Sequence, residues 1–185
     1  MRQPNTNTKN FRKDREKEFE EQLVEVARVS RTMAGGRRIS FRATMVIGDR
    51  KGRVGIGMGK SKEVMEAASK AVKKAKKDLV VVPIVNKTIP HEIIVDFKGA
   101  KIFMKPAVPG TGIIAGGVIR TVANLAGIEN ILSKSLGSSN KLNSLKATIK
   151  ALKILADEHK YSQKQQIKPK KKEDNETVAK TKNEK

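Results

Sequence analysis

Residues 39–58 carry the pattern that most restricts the fold of this chain. From residue 39 to residue 47, apolar side chains occupy every odd position, and the even positions are mostly polar. The odd positions hold Ile39, Phe41, Ala43, Met45 and Ile47. This period of two predicts a strand with one face on a core. Val54, Ile56 and Met58 resume the alternation after the turn-forming residues 48–52, which predicts an antiparallel hairpin.

One more strand and a helix complete the first predicted unit, residues 18–82. The pattern predicts a strand at residues 23–29, and the paired glycines within residues 33–38 favour an extended loop with basic side chains. Ser61 is a suitable N-cap for a helix with apolar residues at spacings of three and four. Those residues are Val64, Ala67, Ala68, Ala71, Val72 and Ala75. The unit is predicted to contain a three-stranded sheet and one helix.

A second unit, residues 89–158, follows a proline-containing linker at residues 83–88. Residues 91–97 and 100–105 predict a hairpin, and a helix that ends at Gly127 follows the glycine-rich residues 110–117. A strand at 131–136 and a final helix complete a mixed hairpin-helix-strand-helix pattern. The predicted fold class is α+β, with two small domains.

The two ends of the chain lack this patterning. Residues 1–17 and 159–185 are rich in Lys, Glu, Asn, Gln and Thr and show no apolar period, which predicts basic, flexible tails. The first of them also lacks the apolar stretch of a secretion signal. We therefore expect a cytoplasmic protein.

Positive charge is the strongest functional signal in the composition. The chain has 40 Lys+Arg against 19 Asp+Glu, a formal charge of +21, and residues 28–77 alone hold fifteen basic and three acidic side chains. Such a surface favours a polyanionic partner, and nucleic-acid phosphates are the usual one. A merely solvated surface is the alternative. An anionic membrane is less favoured, because the most basic helix carries only Ala and Val on its apolar face.

The composition also excludes several classes of site. The chain has no Cys, which excludes disulfides and thiolate chemistry, and its apolar runs fall far short of the roughly 20 residues of a membrane span. Two histidines, His91 and His159, give no metal or catalytic constellation, so we predict no enzyme, no metal and no cofactor. The aromatic residues are too few for a base-stacking platform, which favours binding through phosphates and shape.

Two glycine-rich segments come close to nucleotide-binding motifs. Residues 57–61 end like a phosphate loop, but Val54 stands where that motif needs its first glycine. Residues 110–115 match a relaxed dinucleotide pattern, but they follow Pro106 and Pro109 rather than a strand-helix-strand series. We interpret those glycines as sites of close backbone approach to another chain.

An ordered series of segments, spread over about residues 18–156, resembles one family. The segments are 28–32 (RVSRT), 35–41 (GGRRISF), 46–49 (VIGD), 52–60 (GRVGIGMGK), 103–107 (FMKPA), 110–117 (GTGIIAGG) with Arg120, and 137–140 (GSSN). Together they resemble the bacterial small-subunit ribosomal protein five family. The resemblance implies a first domain similar to double-stranded-RNA-binding modules, a second α+β domain, and a place in the cytoplasmic small ribosomal subunit.

The resemblance also implies partners and sites. The loop from Arg28 to Arg38 would contact small-subunit ribosomal RNA near the head and neck. By that likeness, Arg28, Arg31, Arg37 and Arg38 would contact phosphates. The full predicted RNA-binding set adds Gly35, Gly36, Arg53, and the two lysines that flank the start of the predicted helix, Lys60 and Lys62. The surface at Gly112, Gly116 and Arg120 would face small-subunit protein four, and protein eight would be another neighbour. Such a protein would support assembly, decoding accuracy and the channel through which messenger RNA enters, and it would not form homo-oligomers.

Two other functions remain as alternatives at this stage. A free RNA chaperone or regulator would use the first domain alone. An enzyme is the least favoured alternative, and nucleotide turnover that is lost on Lys60→Ala would be needed to support it.

Overall fold

A four-stranded antiparallel sheet and one helix form the first half of the structure. This computed structural model describes the backbone of residues 18–167 and the side chains of residues 18–158. The strands pair in chain order and are β1 (Glu20–Met33), β2 (Gly36–Gly48), β3 (Arg53–Ser61) and β4 (Leu79–Val81). Helix α1 (Val64–Ala75) connects β3 to β4. The α+β class is confirmed.

The structure corrects the sequence predictions for this half in three places. The sheet has four strands rather than three, because Leu79–Val81 pairs with β3. The predicted loop at residues 33–38 is mostly strand, with a turn only at residues 34–35. Ser61 is not the N-cap of α1: it pairs with Phe41 at the end of β3, and the cap is Glu63, which makes no side-chain capping bond.

Three glycines of β3 allow α1 to lie directly on the sheet. A Cβ atom at Gly55, Gly57 or Gly59 would come within 2.5, 2.0 and 2.1 Å, respectively, of one carbonyl oxygen on each of three successive turns of α1. Those oxygens belong to Ala75, Ala71 and Ala67, which are fully buried. The glycine alternation seen in the sequence is therefore a packing feature. It fixes the helix on one face of the sheet.

A second four-stranded sheet and two helices form the other half. The elements are β5 (Ile93–Phe97), β6 (Ala100–Pro106), β7 (Ile113–Ile114), α2 (Gly117–Ala126), β8 (Ile131–Gly137) and α3 (Lys141–Ile167). The strand order is β5-β6-β8-β7, with β7 parallel to β8. β7 was not predicted from the sequence. Residues 159–167, predicted to begin the C-terminal tail, belong to α3; the remainder of both predicted tails lies outside the described residues.

The two halves share one hydrophobic core. Val46, Val54 and Val80 of the first half belong to the same buried cluster as Leu125 and Leu152 of the second. Backbone bonds reinforce the contact: Arg50 N donates to Leu125 O at 3.0 Å, and Gly52 N donates to Ala126 O at 2.9 Å. The predicted linker is also packed, since the amides of residues 129 and 130 donate to Lys87 O. The second half therefore covers the face of the first sheet opposite α1. No helix in the described part of the chain is long and apolar enough to cross a membrane.

Candidate nucleic-acid interface

The far ends of β1 and β2 form an exposed two-stranded arm. We define the arm as residues 28–41, which contain the turn at residues 34–35. Residues 30–33 and 36–39 are all exposed, whereas residues 43–48 at the other end of β2 are buried. Core packing therefore anchors one end of the hairpin. The other end presents both faces to its surroundings.

The strand register assigns the basic residues of the arm to its two faces. Cross-strand partners share a face, and faces alternate along each strand. Arg31 pairs with Arg38 on one face, while Arg28, opposite Phe41, lies with Arg37 on the other face. Lys60 shares the face of Arg31 and Arg38. These three side chains, with Lys62, line an open groove of about 500 Å³.

The positive charges of the arm are not neutralised by any side chain that the structure describes. Among the side chains of residues 18–158, none forms an ion pair with the basic arm residues or with the two lysines beside them. These residues are Arg28, Arg31, Arg37, Arg38, Lys60 and Lys62. Like charges directly opposite each other on two strands destabilise the pair, as for Arg31 and Arg38. A polyanion placed along the arm would remove that repulsion.

The two predicted glycines form the tip of the arm. Gly36 has a φ of +132°, a conformation that other residues adopt only with strain. A Cβ atom on Gly35 would have no heavy atom within 4 Å. Gly36 is therefore required by the turn, and Gly35 leaves space for an approaching partner.

Arg53 lies apart from the other predicted RNA-binding residues. It is seven residues from Lys60 along β3, about 23 Å at the usual rise of a strand. Its Nε donates to Asp49 Oδ2 at 2.6 Å, its Nη2 donates to Glu18 Oε1 at 3.1 Å, and its guanidinium lies 5.0 Å from the ring centre of Phe19. The structure does not bring Arg53 together with the arm.

The pKa shifts at Arg53 and Asp49 follow from their hydrogen bonds. The bonds to Asp49 and then to Glu18 raise the pKa of Arg53. Partial burial raises the pKa of Asp49, but hydrogen bonds from the Arg53 side chain and from the amides of Arg53 and Lys51 outweigh it and hold that pKa below its ordinary value. Both groups are thus fixed in their charged forms at neutral pH.

Arg42 is a candidate that the sequence analysis did not select. It lies in the ladder between Ala27 and Lys60, on the same face as Arg38. Its Nε is buried without a hydrogen-bond partner among the described residues. The alternation that places even positions of β2 on one face could have identified it, because Arg38, Ser40 and Arg42 share that parity.

Helix α1 presents a second basic surface. Lys70, Lys73, Lys74 and Lys77 line an open groove of about 500 Å³ along its outer side. Lys70, in the middle of the helix, donates to Glu66 Oε2 and to the Ser61 hydroxyl. The bonds from Ser61 and Lys70 lower the pKa of Glu66. The arm and α1 extend the positive surface over one half of the molecule.

The predicted protein-interface residues lie around the start of α2. Gly112 has a φ of +72°, and its amide donates to Asn130 Oδ1 at 3.0 Å. Gly116 is the N-cap of α2, and Arg120 is exposed on the first turns of that helix. A Cβ atom on Gly112 or Gly116 would meet no heavy atom of this chain within 4 Å. Substitution of Gly112 is therefore restricted by its backbone conformation. Any steric restriction on substitution of Gly116 has to come from another molecule.

Comparison with known proteins matches both halves to one family. Residues 19–83 match the family described as "Ribosomal protein S5, N-terminal domain", and residues 95–165 match "Ribosomal protein S5, C-terminal domain". The chain is 50% identical over 150 residues to the small ribosomal subunit protein uS5 of Thermotoga maritima, covering 81% of this chain and 84% of the relative. The protein of the same name from Thermotoga neapolitana is 49% identical over the same shares.

Proposed function

Because the chain belongs to the ribosomal protein S5 family, we propose that it is built into the small ribosomal subunit and that its arm binds ribosomal RNA. The family is structural, and the chain is a ribosomal component rather than an enzyme. It associates with ribosomal RNA and with other ribosomal proteins.

One observation carries the assignment of the arm. Its four arginines project on both faces of an exposed hairpin and form no ion pair with side chains of residues 18–158. Phosphate contacts from arginine supply affinity through charge and bidentate hydrogen bonds, without reading the base sequence. The scarcity of aromatic side chains agrees with this mode, since 3% of the residues are aromatic. The arm therefore binds folded RNA through the phosphate backbone and the shape of the RNA.

The neighbours and cellular roles that the family resemblance implies are also proposed for this chain. Small-subunit protein four would contact the surface at Gly112, Gly116 and Arg120, where Arg120 is exposed and makes no ion pair with the described side chains. Protein eight would be a second neighbour. Through these contacts the protein would support assembly, decoding accuracy and the channel by which messenger RNA enters.

The salt dependence of binding tests the arm directly. Small subunits that lack this protein are titrated with full-length Arg37→Gln/Arg38→Gln protein between about 50 and 200 mM salt. Log affinity decreases with log salt, and the decrease is steeper when more phosphates are neutralised. If each arginine neutralises one phosphate, the magnitude of this slope should be smaller in the variant by about two. Full-length protein is needed, because removal of residues 86–158 would expose the shared core.

A matched control removes the same amount of charge elsewhere. Arg50 pairs with Glu20 and Lys87 pairs with Glu129, so Arg50→Gln/Lys87→Gln also lowers the charge by two. This variant should keep the parental slope. Equal losses of slope in the two variants would mean that overall charge, not the arm, determines binding. Failure of the parental protein to enter the subunits would overturn the proposal as a whole.

A further inference from the structure

A pocket of about 400 Å³ lies between the beginnings of α2 and α3, beside the end of β8. It belongs to the second half of the molecule, whereas the arm belongs to the first. Its lining includes the paired glycines that open α2, the serines that follow β8, and the first residue of α3. Of this lining, the proposed function uses only Gly116, at the edge of the surface proposed for protein four.

The start of α2 presents unused hydrogen-bond donors to the pocket. The first amides of a helix have no intrahelical acceptor, and here the N-cap Gly116 makes no side-chain capping bond. The first turn of α2 has no acidic residue, and neither has that of α3. Gly116 and Gly117 carry no Cβ atom that would block access to the amides of residues 117–119. This end of α2 is therefore open to an anion.

Ser144 provides the independent indication that the pocket holds a ligand. Ser144 lines the pocket and is only 5% exposed. Its amide donates to Asn140 O and its carbonyl accepts from Thr148, but its hydroxyl has no partner among the residues whose side chains are described. Because Ser144 is nearly buried and its hydroxyl borders the space of the pocket without a partner among the described residues, the hydroxyl is available to a ligand that enters there.

The loop before α3 fixes the remaining wall of the pocket. The Asn140 side chain caps α3 by accepting from Leu142 N at 3.0 Å, and the Ser138 hydroxyl accepts from Asn140 N at 3.2 Å. These bonds fix the backbone on both sides of Lys141, which is exposed, lines the pocket and forms no ion pair with side chains of residues 18–158. The start of α2, Ser144 and Lys141 thus line one space, and its described lining contains no carboxylate.

We infer that this pocket binds a phosphate group of the ribosomal RNA backbone. Donors on several sides of the pocket suit the tetrahedral oxygens of a phosphate better than the two coplanar oxygens of a carboxylate. The RNA source rests on the proposed function, whereas the phosphate chemistry rests on the pocket alone. The site would give the second half of the protein its own RNA contact, separate from the arm.

Titration of the isolated full-length protein with inorganic phosphate tests the chemistry of the pocket. Amide resonances are followed by NMR, and those of residues 116–119 and 141 should shift together with saturation. Ser144→Ala should weaken the affinity about tenfold, as expected for loss of a hydrogen bond to a charged group. Ser144→Asp places a carboxylate in the pocket and should abolish binding.

Ser133→Ala is the matched control. It removes the same hydroxyl from neighbouring β8, where Ser133 donates to Phe103 O outside the pocket. This variant should bind phosphate like the parent. Phosphate shifts confined to residues 28–38, or an equal affinity in Ser144→Ala and the parent, would overturn the site while leaving the proposed function of the arm intact. Because Ser144→Ala and the parent suffice for this decision, a folding defect of Ser144→Asp would not prevent it.

Crosslinking in assembled subunits identifies the source of the phosphate. The chain has no cysteine, so Ser139→Cys supplies a unique position for a short photoreactive group beside the pocket. Labelling of ribosomal RNA supports the inference. Labelling of a neighbouring protein instead, or of neither, would overturn the RNA occupant even if free phosphate binds.

Discussion

The two ends of the β1–β2–β3 sheet use arginine in opposite ways. At the base, Arg53 is held by Asp49 and Glu18, and Arg50 pairs with Glu20. At the tip, the arginines of the arm face solvent on both sides and have no ionic partner among the described side chains. The base is covered by α1 on one face and by the second half on the other, and the tip is covered by neither.

The paired arginines at the base stabilise the fold, whereas the unpaired arginines of the arm are available to bind a partner. A guanidinium bound to a nearly buried carboxylate stabilises the turn that it closes. Unpaired guanidinium groups on adjacent strands repel each other and lower the stability of the isolated chain. A count of basic residues in the sequence does not distinguish paired arginines from unpaired ones. The comparison is therefore tested most directly by measuring stability and binding at both ends.

The largest expected difference concerns glycines at the two ends. Gly57→Val at the base would place a Cβ atom 2.0 Å from Ala71 O, so α1 must move away from β3. We expect a loss of about 3 kcal/mol or more in the free energy of unfolding, measured by urea denaturation. Gly35→Ala at the tip is the control, since its Cβ would meet nothing within 4 Å, and its loss should stay below about 1 kcal/mol. Comparable losses would contradict the assignment of a packed base and a free tip.

Substitution of Asp49, the carboxylate that closes the turn at the base, should cause a smaller loss in the free energy of unfolding. Asp49 is 4% exposed; its Oδ1 accepts from Lys51 N at 2.8 Å and Arg53 N at 2.9 Å, and its Oδ2 accepts from Arg53 Nε. Asp49→Asn keeps one acceptor oxygen but loses the charge. The free energy of unfolding at neutral pH should fall by about 1 to 2 kcal/mol. Arg50→Gln, which breaks only an exposed pair with Glu20, should cost less than about 1 kcal/mol.

The same carboxylate predicts a pH dependence with a definite sign. The pKa of Asp49 is lowered in the folded protein, so its contribution is complete above the unfolded pKa of about 3.9 and is lost as the pH falls through the folded value. Parent and Asp49→Asn should therefore differ in stability at pH 7 and converge in acid. Curves that stay parallel down to about pH 2 would assign the loss in the variant to something other than this charge.

Long periodic patterns made half of this fold predictable. The alternation of residues 39–58 identified β2 and β3, and the spacing of alanines in α1 identified the helix that covers them. β4 and β7 have only three and two residues, so they have no period of their own and depend on pairing with distant strands. Ser61 has the chemistry of a cap, but pairing with Phe41 keeps it in β3.

The candidate site was predictable only as a set of charges. The glycines and arginines of residues 28–38 indicated a basic projection, but the strand register decides which arginines share a face. Arg53 looked equivalent in sequence because only the fold of the turn brings Asp49 onto its guanidinium, and its second partner, Glu18, is 35 residues away. Ser144 gave no signal in the sequence, since the pocket that its hydroxyl borders is formed by residues from three different elements and exists only after packing.

The smallest expected effect concerns the like charges at the tip. Arg31 and Arg38 face each other directly, so Arg38→Thr removes a repulsion and adds a residue that favours strands. The free energy of unfolding should rise by about 0.5 kcal/mol, while the salt slope of RNA binding falls by about one unit. Arg37→Thr is the control, because Arg37 lies opposite Thr32 and has no like charge to relieve. Equal gains in both variants would attribute the gain to strand preference. A gain confined to residue 38, with binding lost, would show that the tip gives up stability to hold charge for RNA.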